Sequence, residues 1–338
     1  MDLLTIGDSA IDLFMKIDPA FVSNPAEKEN PEICFFHGSK VPVEKFGTSI
    51  AGNAVNVAVA CSKMGLKPGI YTELGDDANG DRIIQELENF GVNTDFCIKN
   101  KQQPTNVHAI IVSGKGGERT IFSYHEKRDY KLYNWPTPKW LFYSSLAKGF
   151  QKFQADLVNY LKSNPQIGVV FNPGTQQLRE GIKELKNFLK VTDILFVNKE
   201  EAKTLTSSVT DNTGTNNLVN DQKDIQAEEQ ALKELHKDLQ TLGPKLTVIT
   251  QGAKGATAFD GKVFIRQRAI ELNQEIVDKT GAGDAFTAGF VSAIHFGKSL
   301  RTAMKWGAIN SSHKIRFMGT INGLLTKEEL EAQEAVIE

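Results

Sequence analysis

Between Asp278 and Phe290 the chain reads DKTGAGDAFTAGF: two glycines around an alanine, then an acid, then an apolar run. Gly281 and Gly283 admit backbone conformations that a side chain forbids, so the peptide N–H groups around Ala282 can turn toward one point. Phe286, Phe290 and Ile294 then recur at helical spacing, with Ala288, Gly289 and Ala293 leaving room for close packing. The stretch predicts a tight loop that opens a helix. A helix start carries unpaired N–H donors and partial positive charge, which suits an anion. Asp284 falls in the first turn, where it favours the helix yet repels a resting phosphate. That combination fits a phosphate in transfer with a base beside it. The plainer alternative is a turn followed by an N-terminal helix acid.

Other chemistries fit less well. SAIHFGKS imitates the phosphate loop GxxxxGK[ST], but it starts on Ser292 and continues a helix instead of opening one. GAGDAF has Phe286 where the dinucleotide fingerprint GxGxxG needs its third glycine. The six histidines are scattered, with no HExxH and no Cys/His cluster, so no metal centre of that kind is expected. IGDSAID places Ser9 where one class of Gly-Asp-Ser esterases carries its nucleophile, but such an enzyme needs a His held by a carboxylate. The Asp-x-x-His pair is missing, because Ser292 and Asn310 stand where the acids before His295 and His313 would be. The esterase is a minor alternative.

Three stretches together resemble the ribokinase-like (PfkB-type) family of carbohydrate kinases. DKTGAGDAFTAGF is similar to its C-terminal signature, AGNAVNVAVACSKMG to its glycine-rich N-terminal one, and VNKEEA to its Asn-x-x-Glu motif. The similarity spans nearly the whole chain, with the motifs in the family's order. It implies an α/β fold, a ribokinase-like three-layer core with a mostly parallel sheet plus a small β-sheet lid, and ATP-dependent phosphorylation of an alcohol. Such a transfer needs a base for the hydroxyl proton, donors for the migrating charge and a metal bridging the phosphates.

By resemblance, Asp284 is the base, and the N–H groups of Ala282, Gly283 and Asp284, with Gly281 before them, form the anion hole. Asn198 and Glu201 organise Mg²⁺ and its water, in keeping with one carboxylate holding a mostly hydrated ion. Read alone, that pair is a strand-end cap at a helix start. Thr250, Gly252 and Gly255 in VITQGAKGATAF line the nucleotide's phosphates and ribose. Asn310 lies beside the base, or else packs as a polar helix residue. Asp12, Gly52, Asn53 and Asn56 surround the hydroxyls of the acceptor; the alternatives are a solvated loop acid for Asp12 and a helix cap for Asn53. Asp278 and Thr280 stand at the spacing of potassium-activated relatives, so K⁺ is expected beside the loop, with Asp278 as a turn acid otherwise.

The chain also departs from the family. Ala51 replaces the first glycine of a usual Gly-Gly pair, and Val55 stands where a small residue is common, which is expected to narrow the sugar pocket. The segment LFYSS, Leu141 to Ser145, lacks the acid that ribokinases often carry there. FNPGTQQL resembles the Asn-Pro-Gly turn of sugar-acid and fructose-type relatives. The reading is a kinase for the hydroxymethyl group of a small sugar or sugar derivative. The alternative is a nucleoside kinase of the same fold, with Phe35 or Phe36 stacking on a base. A nonenzymatic sugar-binding relative would not need Asp284 with both glycines intact.

These residues need elements to position them. LLTIG, GIYTELG, WLFYSS, GVVFNPG, ILFVN and KLTVIT read as buried strands, alternating with helices such as 53–64, DRIIQELENFG and 182–189. Alternating β and α with near-continuous apolar strands implies a parallel sheet covered on both faces. Two β-only segments, 14–46 (LFMKI, ICFFH, KVPVEKF) and 104–124 (NVHAIIVS, RTIFSY around GKGGE), form the expected lid. The core is then 1–13, 47–103 and 125–338. Residues 207–230 are polar, free of aromatics, and read as a surface insertion without function. Apolar residues that one small sheet cannot bury suggest a homodimer through the lid.

The bulk numbers agree with such an enzyme. A chain of 338 residues with 40% hydrophobic content builds a substantial core without disulfides. A net charge of -2 with interspersed signs argues against nucleic-acid or membrane-surface partners. Cys34, Cys61 and Cys97 contain no CxxC and read as reduced, buried thiols. With no signal-peptide pattern at the start, a cytoplasmic location is expected.

Overall fold

The apolar runs become strands, and their period-2 alternation sorts the core into two halves. In the computed structural model, which describes residues 1–17, 33–113, 118–207, 222–270 and 274–336, the chain opens with β1 (Leu3–Ile6), β2 (Ala10–Ile17) and β3 (Val43–Ala51). Then come α1 (Asn53–Lys63), β4 (Pro68–Gly75), α2 (Ala78–Asn89), β5 (Asn93–Asn100), β6 (Asn106–Ser113) and β7 (Glu118–Tyr124). The middle holds β8 (Trp140–Tyr143), α3 (Phe150–Ser163), β9 (Gly168–Phe171), α4 (Thr175–Glu180), α5 (Ile182–Leu189), β10 (Ile194–Asn198), α6 (Lys199–Thr206) and α7 (Gln222–Thr241). The chain ends with β11 (Leu246–Thr250), β12 (Ala256–Phe259), β13 (Phe264–Gln267), α8 (Ala282–His295), α9 (Leu300–Lys314) and α10 (Lys327–Val336).

The main sheet has the order β13-β12-β11-β10-β9-β8-β1-β4-β5. Its strands are parallel from β11 to β5, and β12 and β13 add an antiparallel edge. Leu3, Phe142, Val170, Phe196 and Val248 face the side covered by α1, α8 and α9. Their neighbours Leu4, Leu141, Val169, Leu195 and Ile249 face α3, α5 and α7. Strands buried on both faces and crossed by helices give the three-layer core.

A second sheet has the order β3-β2-β6-β7, and is the lid. β2 begins at Ala10 and β3 runs on to Ala51, so both strands reach closer to the glycine turn than the sequence pattern located them. ICFFH differs from expectation: Cys34 to His37 contain no strand, and Phe36 is 89% exposed. β3 starts only after Pro42, which has no N–H to give a ladder. Cys34 is therefore exposed, against the expectation of three buried thiols, whereas Cys61 is buried in α1. The Pro/Asn/Glu-rich run 18–32, the glycines at 114–117 and most of the polar insertion lie outside the described residues. No helix among the described residues is long and apolar enough to cross a membrane.

Helices α8 and α9 cross closely, which fixes the start of α8. A Cβ on Gly289 would lie 2.7 Å from the Trp306 carbonyl oxygen, so only glycine permits this approach. Trp306 and Phe290 are fully buried beside the crossing.

Candidate active site

Two adjoining cavities meet at the start of α8. The first, about 440 Å³, lies at the carboxyl ends of the parallel strands, where open α/β sheets bind their ligands. Asp8 follows β1, Ser145 follows β8, Asn172 follows β9, and Asn198 and Thr250 end β10 and β11; all five line it. The inner face of the lid covers it with Asp12, His108, Ile110, Arg119, Ile121 and Ser123. Register explains why these share one face: Asp12 pairs with His108, His108 with Ser123, and Ile110 with Ile121. The second cavity, about 690 Å³, is walled by Ile270, Ile276, Phe286 and Ile315, with Gly252 and Gly255 at its edge. Thr250, Lys279 and Gly283 line both.

Asp284 sits in the first turn of α8 and lines the first cavity. Gly281, in the left-handed region at φ 77°, caps the helix and lies against Thr320. A side chain on Gly283 would project into open space where the cavities join, so glycine there keeps the backbone exposed to a ligand. The Ala282 N–H turns back to the Lys279 carbonyl, a long bond of 3.3 Å, and leans less toward the cavity than the sequence implied. Burial pushes the Asp284 carboxyl up to about 7, against the Asn56 hydrogen bond and the Lys314 charge, and Glu201 adds to the rise. Asn56 Nδ2 donates to Asp284 Oδ2 at 2.7 Å, while Asn56 Oδ1 is buried with no partner. A carboxylate poised near neutrality beside an unspent amide oxygen suits abstraction of a hydroxyl proton.

Gly52, Asn53 and Asp12 line the same cavity. Gly52 caps α1 at φ 122°, and a Cβ there would lie 2.2 Å from the Asp8 carbonyl oxygen, so this turn demands glycine. The cap is thus Gly52, and Asn53 instead donates to Asn172 Oδ1 at 3.2 Å. Val55 is wholly buried in the core and does not line the cavity, so it does not narrow it. Phe35 and Phe36 do not line the cavity either, so neither is placed to stack on an acceptor.

Asn198 and Glu201 form a reciprocal capping box at α6. Asn198 Oδ1 accepts the Glu201 N–H at 2.9 Å, and Glu201 Oε2 accepts the Asn198 N–H at 2.8 Å. Both also line the first cavity, and burial pushes the Glu201 carboxyl upward. The cap and the site reading hold together, since the cap fixes the carboxylate at the cavity wall. Asn310 is a correction. It is fully buried, donates to the Ala285 carbonyl at 2.8 Å and accepts the Leu325 N–H at 3.0 Å. Its hydrogen bonds tie α8 to the segment before α10, and its neighbours Ser311 and Ser312 line the second cavity instead.

A polar chain under the lid escaped the sequence reading. Asp12 Oδ1 lies 2.9 Å from His108 Nδ1, His108 Nε2 lies 3.0 Å from His125 Nε2, and His125 Nδ1 lies 3.9 Å from Asp8 Oδ2. One ring must donate where the two Nε2 atoms meet, so the pair does not hold two full charges. Burial, the His108 ring and Arg128 hold His125 down to about 4. Burial pushes Asp8 up to about 6 despite hydrogen bonds from Tyr130 Oη and the Ala147 N–H. Strand register brings Asp12 to His108, and the connections before β2 and after β7 add Asp8 and His125. Ser9 donates to Thr72 Oγ1 at 2.9 Å, so no imidazole takes its proton and the esterase reading fails.

Asp278 and Thr280 are bonded to one another and to the backbone beside them. Asp278 Oδ1 accepts the Thr280 N–H at 2.8 Å and Thr280 Oγ1–H at 2.6 Å, and Oδ2 accepts the Gly319 N–H at 2.9 Å. The buried ammonium of Lys314 lies 3.8 Å from Oδ2. This donor set does not suit the expected K⁺, because three protein hydrogens already take acceptor sites of the carboxylate and the Lys314 ammonium supplies positive charge beside Oδ2. Among the described residues no group of three or more His, Cys, Asp or Glu is disposed to hold a metal.

Residues 22–327 match the pfkB family of carbohydrate kinases. The chain belongs to that family. The nucleoside kinase of Methanothermobacter thermautotrophicus is 25% identical over 94% of this chain and 91% of its own length. The ATP-dependent 6-phosphofructokinase of Thermoanaerobacterium thermosaccharolyticum is 22% identical over 95% of this chain and 89% of its own. The structure of ribokinase from Cryptococcus neoformans in complex with ADP superimposes with a TM-score of 0.76 at 24% identity, covering 98% of this chain and 99% of that one. The fold is therefore ribokinase-like, and the chain is a kinase of this family. Relatives with three different acceptors leave the acceptor to be read from the site.

Proposed function

We propose that this protein transfers the γ-phosphoryl group of ATP to a hydroxymethyl group of a small sugar or sugar derivative, with Asp284 as general base. The observation that carries the reading is Asp284 itself: a buried carboxyl raised to about 7, held by Asn56, at the helix start where the two cavities meet. The apolar walls of the second cavity suit a nucleobase, and its glycine edge suits phosphates close to the backbone. The first cavity offers carboxylate and amide groups at Asp12, Asn53 and Asn56, the partners that sugar hydroxyls take.

Asp284 accepts the proton of the acceptor hydroxyl. The oxygen bonds to the γ-phosphorus as the bond to the β–γ bridging oxygen breaks, and ADP leaves. Gly281 and Gly283 keep the backbone open toward the phosphoryl group, and Lys279, lining both cavities, adds positive charge where they join. Mg²⁺ would neutralise phosphate charge, and Glu201 with Asn198 would hold it through water. Screening sugars, sugar acids, sugar phosphates and nucleosides for ADP release should find one small sugar class turned over. No release with any acceptor would overturn the reading, and nucleosides alone would replace its acceptor.

The lid also supports a homodimer. Phe46, Phe122 and Tyr124 lie on its outer face, 65%, 58% and 51% exposed, opposite the row that covers the cavity. A second copy laid on this face would bury them. Light scattering at tens of micromolar should give twice the chain mass, and Phe122→Glu should halve it. A monomeric parent protein, in low and high salt alike, would remove the proposal.

A further inference from the structure

The loop before α8 is held from behind by a buried ammonium. Lys314, the last residue of α9, is fully buried. Its Nζ donates to the Asp278 carbonyl at 3.0 Å and the Phe317 carbonyl at 3.5 Å, and sits 3.8 Å from the Asp278 carboxylate. Carbonyl oxygens plus one negative charge are the surroundings that replace the hydration shell of a monovalent cation. A lysine with no such task usually sends its ammonium to water, because burying it is costly. Here the backbone is folded around it. The N–H groups of Val277 and Asp278 both donate to the Ile315 carbonyl, and the Gly319 N–H donates to Asp278. The segment 314–320 is thereby laced to 277–281, and Gly281 rests on Thr320.

We propose that the Lys314 ammonium stands in for a monovalent cation behind the anion loop and makes the enzyme independent of K⁺. The proposal rests on the kinase reading of the loop. A tethered cation stiffens the backbone that faces the phosphoryl group, and it supplies fixed positive potential without a binding equilibrium. Lys314 also favours the ionised form of Asp284, so its charge reaches the base. Burial lowers the amine to about 8, against the pull of Asp278 and Asp284 and with the help of Arg119, so it remains mostly cationic at neutral pH.

The test compares KCl with tetramethylammonium chloride at equal ionic strength, reading thermal unfolding as well as turnover. The parent protein should show the same Tm and the same rate in both salts. Lys314→Met removes the charge and keeps the length. Without K⁺ it should lose on the order of tenfold to a hundredfold in rate, at or below the effect of one oxyanion donor. KCl should restore rate and Tm saturably, as a ligand that binds only the folded state does. A saturable rise in the parent's Tm or rate with K⁺ overturns the proposal, even if Lys314→Met fails to fold. A folded Lys314→Met with parental rate and no response to K⁺ overturns it too. Because Tm requires no turnover, failure here is distinguishable from failure of the kinase reading.

Discussion

Asp284→Asn should lose about 10²–10⁴-fold in kcat, roughly 3–5 kcal/mol of barrier, and should become more stable at the same time. The amide keeps the size of the side chain and can still accept the 2.7 Å hydrogen bond from Asn56, so the helix start stays in place. Nucleotide affinity should change little, because the backbone around Gly281 and Gly283 is untouched. The stability gain follows from the sign of the shift. The folded carboxyl is raised from 3.8 to about 7, so its favourable contribution is present at low pH and lost as pH rises through about 7. Asn escapes that loss, and the variant should exceed the parent by roughly 1–3 kcal/mol above pH 7, with the difference fading below about pH 4. As the proposed base, the same carboxyl should set the acid limb of the parent's kcat/KM, with a tenfold fall per pH unit well below about 7. Denaturant melts at two pH values and a pH profile check both halves. A folded variant keeping more than about a tenth of the parental kcat would overturn the base assignment.

The parts of this site that depend on neighbours in sequence were legible, and those that depend on register were not. Glycines and an acid before an apolar run report a loop, a helix start and a carboxylate directly, since all three are local. Alternating apolar runs reported the parallel sheet, because a strand buried on both faces must be continuously apolar. Asn56 and Asp284 lie 228 residues apart, and only the family resemblance joined them before the structure did. The Asp12–His108–His125–Asp8 chain has no sequence signature; it exists because β2 pairs with β6 in one register and not the next. Asn310 stays open between two readings in sequence for a related reason: which face of α9 meets the cavity is set by its crossing with α8, not by its own periodicity. Nothing in the sequence around Lys314, the last residue of α9, signals a buried ammonium. Its burial arises from the loop that folds back over it.

Asp12→Ala should cost the acceptor about a hundredfold or more in kcat/KM while leaving the nucleotide KM unchanged. Asp12 is 2% exposed, faces the first cavity from β2, and does not line the second. On the proposed reading a carboxylate in that position would accept hydrogen bonds from sugar hydroxyls, and each such bond to a charged group contributes about 1.5–3 kcal/mol. Two of them give about 3 kcal/mol or more, the hundredfold expected. Removing the carboxylate also frees His108, whose Nδ1 lies 2.9 Å from it, so the imidazole chain loses its anchor. Asp12→Asn separates the two effects. Its amide oxygen can still take the His108 N–H, so the chain keeps its register while acceptor binding loses charge. That variant should fall between the parent and Asp12→Ala, with the loss in KM and not in kcat, because Asp284 and its Asn56 partner are undisturbed. An Asp12→Ala enzyme within about twofold of the parent in acceptor kcat/KM, the range of an ordinary surface substitution, would remove Asp12 from the acceptor site. A rise in nucleotide KM of the same size as the acceptor's would instead mark Asp12 as a structural anchor of the lid.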